Sequence, residues 1–223
     1  MKIKKHGITL IRLTELDLEL LRKWRNNEEV RKYMNFQSYI TPEKQKDWFK
    51  SINNQNNFYY IVEYNGDKIG LVNDKNIDWD KKTAEGGLFI WDKRYLNSTI
   101  PLKVSILMLE LAYTLLGWNK TYIKVRKDNP RAVKYNEKLG YVKVDSEENL
   151  DFYTMELERN RFFENFNNIQ RLISPDLKDQ KIVLVFEEID DLNGTREAVE
   201  KIFTLAPKDV DTNKIEIHYS NVT

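Results

Sequence analysis

The side chains that most often carry chemistry by themselves are nearly missing from this sequence. Cysteine is absent, and histidine occurs only as His6 and His218, one near each end of a 223-residue chain. That removes disulfides, thiolate zinc sites, iron–sulfur clusters and a cysteine nucleophile. A multi-histidine metal site within one chain is excluded, and neither histidine lies near a nucleophile-elbow pattern. What remains is carboxylate, amide, hydroxyl, amine and guanidinium chemistry, which suits a protein that holds a reactive cofactor and orients two reactants. Asn129-Pro130-Arg131 is one group of such residues: asparagine before proline is a strong helix N-cap, and proline fits the first helical position. Asn97-Ser98-Thr99 before Pro101 is another, with hydroxyls and amides at a second helix start.

The elements that must position these residues follow from periodicity and turn chemistry. Residues 7–14 alternate as a strand, while 15–26 place Leu16, Leu20, Leu21 and Trp24 at helical spacing and 28–34 form a second short helix. Thr41-Pro42-Glu43 starts a helix that runs to about residue 53. Two β-prone runs, 58–64 and 68–72, flank Asn65-Gly66 and predict a type I′ hairpin. A further antiparallel strand covers 83–91. Residues 101–116 are a helix whose only charges, Lys103 and Glu110, lie on one narrow strip, so it is buried on most sides and ends at Gly117. A strand at 119–126, a helix at 129–139 stopped by Gly140, and closing strands at 141–144 and 150–158 complete a mixed, mostly antiparallel α+β sheet domain over 1–158. Residues 159–223 read as an appended helix–strand–helix–strand extension, with elements at 159–173, 181–186, 194–203 and 214–219.

Hydrophobic residues make up 41% and charged residues 32%, which fits a soluble globular chain with a real core. Thirty-six Lys+Arg against thirty-five Asp+Glu give a formal charge of +1, so no global basic field draws nucleic acid. The N-terminal apolar stretch is broken by Arg12 and is too short for a signal segment. The most apolar run, 106–116, contains Glu110 and falls short of the roughly 20 residues that span a bilayer. A cytoplasmic protein without membrane or nucleic-acid partners is expected.

The run Asn129-Pro130-Arg131-Ala132-Val133-Lys134-Tyr135-Asn136-Glu137-Lys138-Leu139-Gly140-Tyr141 resembles the N-x-x-A…(Y)-x-K-x-G-(F/Y) motif of the GNAT superfamily of coenzyme-A-dependent N-acetyltransferases. Upstream, Leu21-Arg22-Lys23-Trp24-Arg25-Asn26-Asn27-Glu28-Glu29-Val30, Met34 and Thr41…Trp48-Phe49 resemble a subgroup acting on nucleotide-linked amino sugars and on ribosomal-protein N-termini. The likeness covers about two-thirds of the chain. It implies a GNAT-like sheet, acetyl-CoA as acyl donor, direct transfer to an amine, and no metal. It implies a V-shaped opening between the strand ending near Trp91 and that ending near Arg126. Leu88, Phe89, Ile90 and Trp91 would line the donor there, one backbone N–H facing the thioester oxygen; an ordinary central strand is the plain alternative. Asn129 would reach the donor's arm besides capping its helix. Arg131 would meet a phosphate, or simply be a solvated arginine. Asn97, Ser98 and Thr99 would face the diphosphate. Glu85 is the candidate base, against an exposed strand carboxylate, and Tyr135 the candidate acid, against a core tyrosine. Trp24, Arg25, Asn26, Met34 and Trp48 fall on the acceptor side, the tryptophans being equally suited to packing.

Two departures from the family pattern stand out. The phosphate-cradling glycines of (Q/R)-x-x-G-x-(G/A) are absent from Leu96-Asn97-Ser98-Thr99-Ile100-Pro101. The usual acid tyrosine position holds Asn136, with Tyr135 about 100° around the helix. The resemblance implies transfer from acetyl-CoA to the amine of a nucleotide-activated amino sugar for a surface polysaccharide. Acetylation of a protein N-terminus and a non-catalytic GNAT-like binding module are the alternatives. The expected partner is a small-molecule substrate, with a homodimer possible, and the extension could lengthen the sheet, form a dimer contact or cover the acceptor site.

Overall fold

The computed structural model describes residues 1–32, 34, 36–144, 151–171, 180–187 and 215–220. Ten strands form one sheet: β1 (Lys2–Lys5), β2 (Ile8–Arg12), β3 (Phe58–Tyr64), β4 (Asp67–Asp78), β5 (Thr83–Ile90), β6 (Lys120–Arg126), β7 (Val142–Val144), β8 (Phe152–Glu158), β9 (Ile182–Glu187) and β10 (Ile215–Ser220). Their spatial order is β10-β9-β1-β2-β3-β4-β5-β6-β8-β7. Every neighbouring pair is antiparallel except β5–β6 and β9–β10. The helices are α1 (Leu18–Asn26), α2 (Glu28–Arg31), α3 (Pro42–Ile52), α4 (Ile100–Glu110), α5 (Pro130–Leu139) and α6 (Arg159–Arg171).

Local chemistry explains the turns. Asn65 and Gly66 sit at φ 51° and 82°, as the predicted hairpin requires. His6 and Gly7, at 56° and 77°, make a second such hairpin that joins β1 to β2. The sequence reading has no β1, because Lys2, Lys4 and Lys5 make the segment look like a solvated basic tail. Yet Ile3 is buried, and the buried Lys5 ammonium pairs with Glu110 of α4 at 2.7 Å.

The pleat divides the sheet's packing in two. On one face α1 and α3 bury Leu18, Leu21 and Phe49 against Tyr59, Ile61, Leu71 and Trp91. On the other, Val104, Leu107 and Met108 of α4 meet Tyr60, Val62, Ile69 and Val72, while Val133 and Leu139 of α5 pack beside Ile123 and Leu157. The single helix expected over 101–116 is instead α4 followed by a π-helical turn, Leu111–Leu115, with Leu116 N–H bonding the Leu111 carbonyl at 2.9 Å. Thr114 Oγ1 donates to the Glu110 carbonyl, competing with the regular backbone ladder at the place where the winding changes.

Described parts of 159–223 continue the same sheet: β9 pairs with β1, and Ile182, Leu184 and Phe186 join the α4 core. Phe162 and Ile169 of α6 pack with Leu139 and Leu157. The helix expected at 194–203 lies outside the described residues. Among the described residues no helix is long and apolar enough to cross a membrane.

Candidate active site

The site begins where two strands part. β5 and β6 pair in register only at Thr83–Lys120, Ala84–Thr121 and Glu85–Tyr122. Past that rung, residues 86–90 keep only β4 as a hydrogen-bonded neighbour and residues 123–126 keep only β8. A cleft of about 2080 Å³ opens in the gap and reaches from α1–α3 on one face to α4 and α5 on the other. Leu88, Phe89, Ile90 and Trp91 form one wall; Val125, Arg126 and Asn129 form the other. The edges of β5 and β6 there carry backbone groups with no ladder partner, the hydrogen-bonding surface that an extended amide-bearing arm needs. Gly86-Gly87 marks the fork. A Cβ on Gly87 would fall 2.8 Å from Asn73 Oδ1, and Asn73 Nδ2 donates to the Glu85 carbonyl at 3.3 Å, so glycine permits this close approach.

On the α4–α5 side, Asn129 caps α5 by accepting from Ala132 N–H at 3.1 Å and also lines the cleft. Arg131 Nη2 donates to the Leu96 carbonyl at 2.6 Å and to Asn97 Oδ1 at 2.8 Å, strapping the loop before α4 to the start of α5. Asn97 lines the cleft. Ser98 and Thr99 do not: the Ser98 hydroxyl donates to the Tyr95 carbonyl at 2.7 Å and accepts from Ile100 N–H at 3.1 Å, serving its own turn. The Tyr135 hydroxyl donates to the Pro101 carbonyl at 2.9 Å and lies 2.8 Å from Ser105 Oγ, and burial holds it well above the usual phenol range. Asn136, where the family motif has tyrosine, donates to the Ala132 carbonyl at 2.8 Å.

On the α1–α3 side, Trp24 stacks on Trp91 with ring centroids 6.1 Å apart, and Trp48 meets Tyr59 edge-on at 5.2 Å; both tryptophans line the cleft, as does Met34. The half-buried Arg25 guanidinium lies over Trp48 at 5.0 Å and reaches Gln45 Oε1 at 3.4 Å. Among the described residues no carboxylate pairs with it, and burial lowers its pKa. Burial lifts Tyr59 to about 12, opposed by the charge of Arg25 and aided by that of Glu85. Asn26 does not line the cleft. Its amide exchanges two 2.8 Å hydrogen bonds with the Ile40 backbone and pins the chain ahead of α3.

Glu85 stands at the last closed rung, buried rather than exposed on a strand. Its carboxylate accepts from Lys75 Nζ at 3.0 Å and from Asn76 Nδ2 at 2.9 Å. Asn76 adopts φ 52° where the β4–β5 register slips between Lys75 and Asp78, and that bulge accompanies the turn of its amide toward Glu85. The sequence reading missed a second carboxylate, Asp74, which also lines the cleft. Asp74 is 4% exposed, its Oδ2 has no hydrogen-bond partner, and burial raises its pKa to about 7. The nearby Trp118 indole N–H offsets a little of that without completing a hydrogen bond of normal geometry. Beside Asp74 runs a buried hydroxyl chain, Tyr113 Oη to Thr121 Oγ1 at 2.7 Å and on to Tyr141 Oη at 2.9 Å.

The mixed sheet forks between two parallel strands with a helix starting at each side of the fork, and residues 8–142 match the family described as the Acetyltransferase (GNAT) domain. The chain belongs to that family and is an acyl-CoA-dependent N-acetyltransferase. It is 28% identical over 137 residues to spermidine N(1)-acetyltransferase of Escherichia coli K12, covering 61% of this chain and 73% of that one. Among solved structures, spermidine N-acetyltransferase from Vibrio cholerae in complex with CoA and spermine aligns with TM-score 0.61 at 22% identity, over 70% of this chain and 98% of that one. A domain from Methanocaldococcus jannaschii aligns with TM-score 0.60 at 24% identity, over 68% and 97%. These relatives correct the subgroup expectation: they include spermidine acetyltransferases, not enzymes of nucleotide-linked amino sugars or ribosomal-protein N-termini.

Proposed function

We propose that the chain moves an acetyl group from acetyl-CoA to a primary amine of a small molecule, and that a polyamine of the spermidine class is the acceptor. The observation that carries this is the fork itself: a thioester carbonyl held on the free edge of β5 sits beside Glu85, which lies on the same face as α1–α3. In this reading Leu88, Phe89, Ile90 and Trp91 hold the donor's arm, Asn129 meets it at the mouth, and Arg131 with Asn97 stands at the diphosphate. An N–H of β5 receives the oxyanion, a contact worth about 3–4 kcal/mol in comparable sites. Glu85 takes the amine's proton, directly or through one water. Trp24, Met34 and Trp48 wall the acceptor, and Glu29 and Asp47 add acidic groups to the cleft lining. The spermidine acetyltransferases among the relatives support the polyamine choice.

Arg25 favours a second reading of the acceptor. A half-buried cation without a carboxylate partner among the described residues repels a polycation and suits an amine that also carries a carboxylate or phosphate. Thermal unfolding with acetyl-CoA tests the donor: ligand at a hundred times its Kd adds about 2.7 kcal/mol, or roughly 5–10 °C. No shift at millimolar acetyl-CoA would overturn the assignment. Thiol release is then compared for spermidine, glutamate and phosphoethanolamine, with the native chain and with Arg25→Ala. Turnover of spermidine that survives Arg25→Ala supports the polyamine, and turnover of an anionic amine that Arg25→Ala abolishes supports the second reading.

A further inference from the structure

We infer that Asp74 is the acid that delivers a proton to the departing thiolate, an assignment that rests on the acetyl-CoA transferase reading above. β4 runs beside β5, on the side away from β6, and its side chains alternate between the faces. Leu71 packs with the α1–α3 cluster, and Asn73 and Lys75, on the same face, reach Glu85. Val72 packs with α4, and Asp74 follows it on that opposite face. The two carboxylates at the fork therefore serve different sides: Glu85 the acceptor helices, Asp74 the α4–α5 side where the fork's second mouth opens.

Access to Asp74 comes through a missing side chain. Its register partner is Gly86, the first residue of β5 beyond the last β5–β6 rung. A Cβ on Gly86 would lie 3.8 Å from Asp74 Oδ1, 3.8 Å from Tyr141 Oη and 3.5 Å from Ile123 Cγ2. Glycine thus leaves the apex without a side chain, with room for about one methyl group beside those three residues, and Asp74, Gly86, Ile123 and Tyr141 all line the cleft. The titratable groups facing Asp74 are the phenols of Tyr60 on β3, Tyr113 in the π-helical turn and Tyr141 after α5, with the Trp118 indole beside it. None is a cation, and the Lys75–Glu85 ion pair is on the other face. A carboxyl in such surroundings keeps its proton near neutral pH, while Tyr135 already gives its own to the Pro101 carbonyl.

The step balances. The amine nitrogen bonds to the carbonyl carbon, the C–S bond breaks with its electron pair on sulfur, and the Asp74 O–H proton passes to sulfur to form the free thiol. The surplus proton of the amine goes to Glu85 or to water, and Asp74 takes a proton from solvent once the thiol has left. Two carboxyls at one site, separated by environment into a proton donor and a proton acceptor, are a recurring way to run both halves of a transfer at neutral pH.

Hydroxylamine separates this step from acceptor recognition and from the base, because above pH 6 it is a small neutral nucleophile. Enzyme-dependent thiol release from acetyl-CoA is measured with saturating hydroxylamine from pH 6 to 9. The native chain should lose rate as pH rises through about 7. Asp74→Asn should be slower by about 10²-fold with that pH limb gone, yet bind acetyl-CoA with an unchanged thermal shift. Gly86→Ala, whose methyl makes only ordinary contacts, should screen the carboxyl and lower the same limb in a folded protein. The proposal is overturned if Asp74→Asn stays within twofold of the native rate, or if the native rate rises through pH 7, the mark of a base. It is overturned equally if the native chain binds acetyl-CoA but hydroxylamine releases no thiol. Failure to bind acetyl-CoA at all strikes the transferase reading instead.

Discussion

Replacing Asp74 with asparagine should make the protein more stable than the native chain at neutral pH and above, by an amount that depends on pH. Asp74 is buried, with one carboxyl oxygen unpartnered, and burial moves its pKa from 3.8 to about 7. Between those values the folded chain holds a proton that the unfolded chain has released. Folding stability therefore falls as pH rises across that window and is flat above it. About three pH units at about 1.4 kcal/mol each give ~4 kcal/mol, near ~10 °C in Tm for a chain of this size. Asparagine, nearly the same shape, carries no such penalty. Urea unfolding of both proteins at pH 4.5, 6, 7 and 8.5 reads the difference directly. His6 also titrates, its pKa lowered to about 4 by burial first and by Lys5 and Lys103 next. It does so in both proteins and cancels. A gap between the two that stays constant within about 1 kcal/mol from pH 4.5 to 8.5 would mean that Asp74 ionises normally when folded, and its role as a proton donor at neutral pH would fall with that result.

Three other perturbations have defined outcomes. Lys5→Met removes one partner of the 2.7 Å buried ion pair with Glu110 and should cost about 3–5 kcal/mol in urea unfolding, most of it recovered in Lys5→Met/Glu110→Leu. Gly87→Ala would press its methyl to 2.8 Å from Asn73 Oδ1, disturbing the Asn73–Glu85 link, so turnover should drop well below that of the native chain while acetyl-CoA still shifts the Tm. Tyr135→Phe deletes the hydrogen bonds to Pro101 and Ser105, which should lower stability by about 1 kcal/mol and change kcat by less than tenfold; a loss of 10³-fold in kcat with unchanged stability would make Tyr135 the acid instead.

The sequence displayed some of this plainly. Asn65-Gly66 names its hairpin because few residue pairs tolerate two positive φ values, and Asn129-Pro130 with Gly140 brackets α5, where Gly140 sits at φ 100°. Other parts depend on distant partners. Lys5 reads as solvated until a carboxylate 105 residues away covers it. The β4 strand reads as ending at Val72, since Asn73-Asp74-Lys75-Asn76 looks like a polar loop. The strand is paired with β3 as far as Asp74 and with β5 on to Asp78, and only then does Asp74 become a core residue. Gly86-Gly87 is a signal visible in the sequence: paired glycines inside a strand mark a close approach or an opening. Arg25 and Trp48 were legible as polar and aromatic residues on helices, but their stacking comes from the packing of α1 on α3.

The placing of the two carboxylates follows from register more than from either residue alone. Lys75–Glu85 and Asp74–Gly86 are adjacent rungs of the β4–β5 ladder, and Glu85–Tyr122 is the last rung of β5–β6. Glu85 thus belongs to the last closed step of the sheet, and Asp74 lies across from the first open one, so the fork's apex passes between them. Because side chains alternate with period two, a slip of one residue in β4 would carry Asp74 to the acceptor face and Lys75 to the α4–α5 face. The slip in the β4–β5 ladder falls after Lys75, past both rungs, and the one in the β3–β4 ladder falls at Ile69, before them, so both leave this pairing intact. An alanine insertion between Val72 and Asn73 should therefore be far more damaging to turnover than one between Asp78 and Trp79, beyond the bulge. Comparing thiol release for the two insertions, each checked for a folded acetyl-CoA-binding state, would show whether register or mere proximity sets the chemistry. Equal activity in both would refute the register argument.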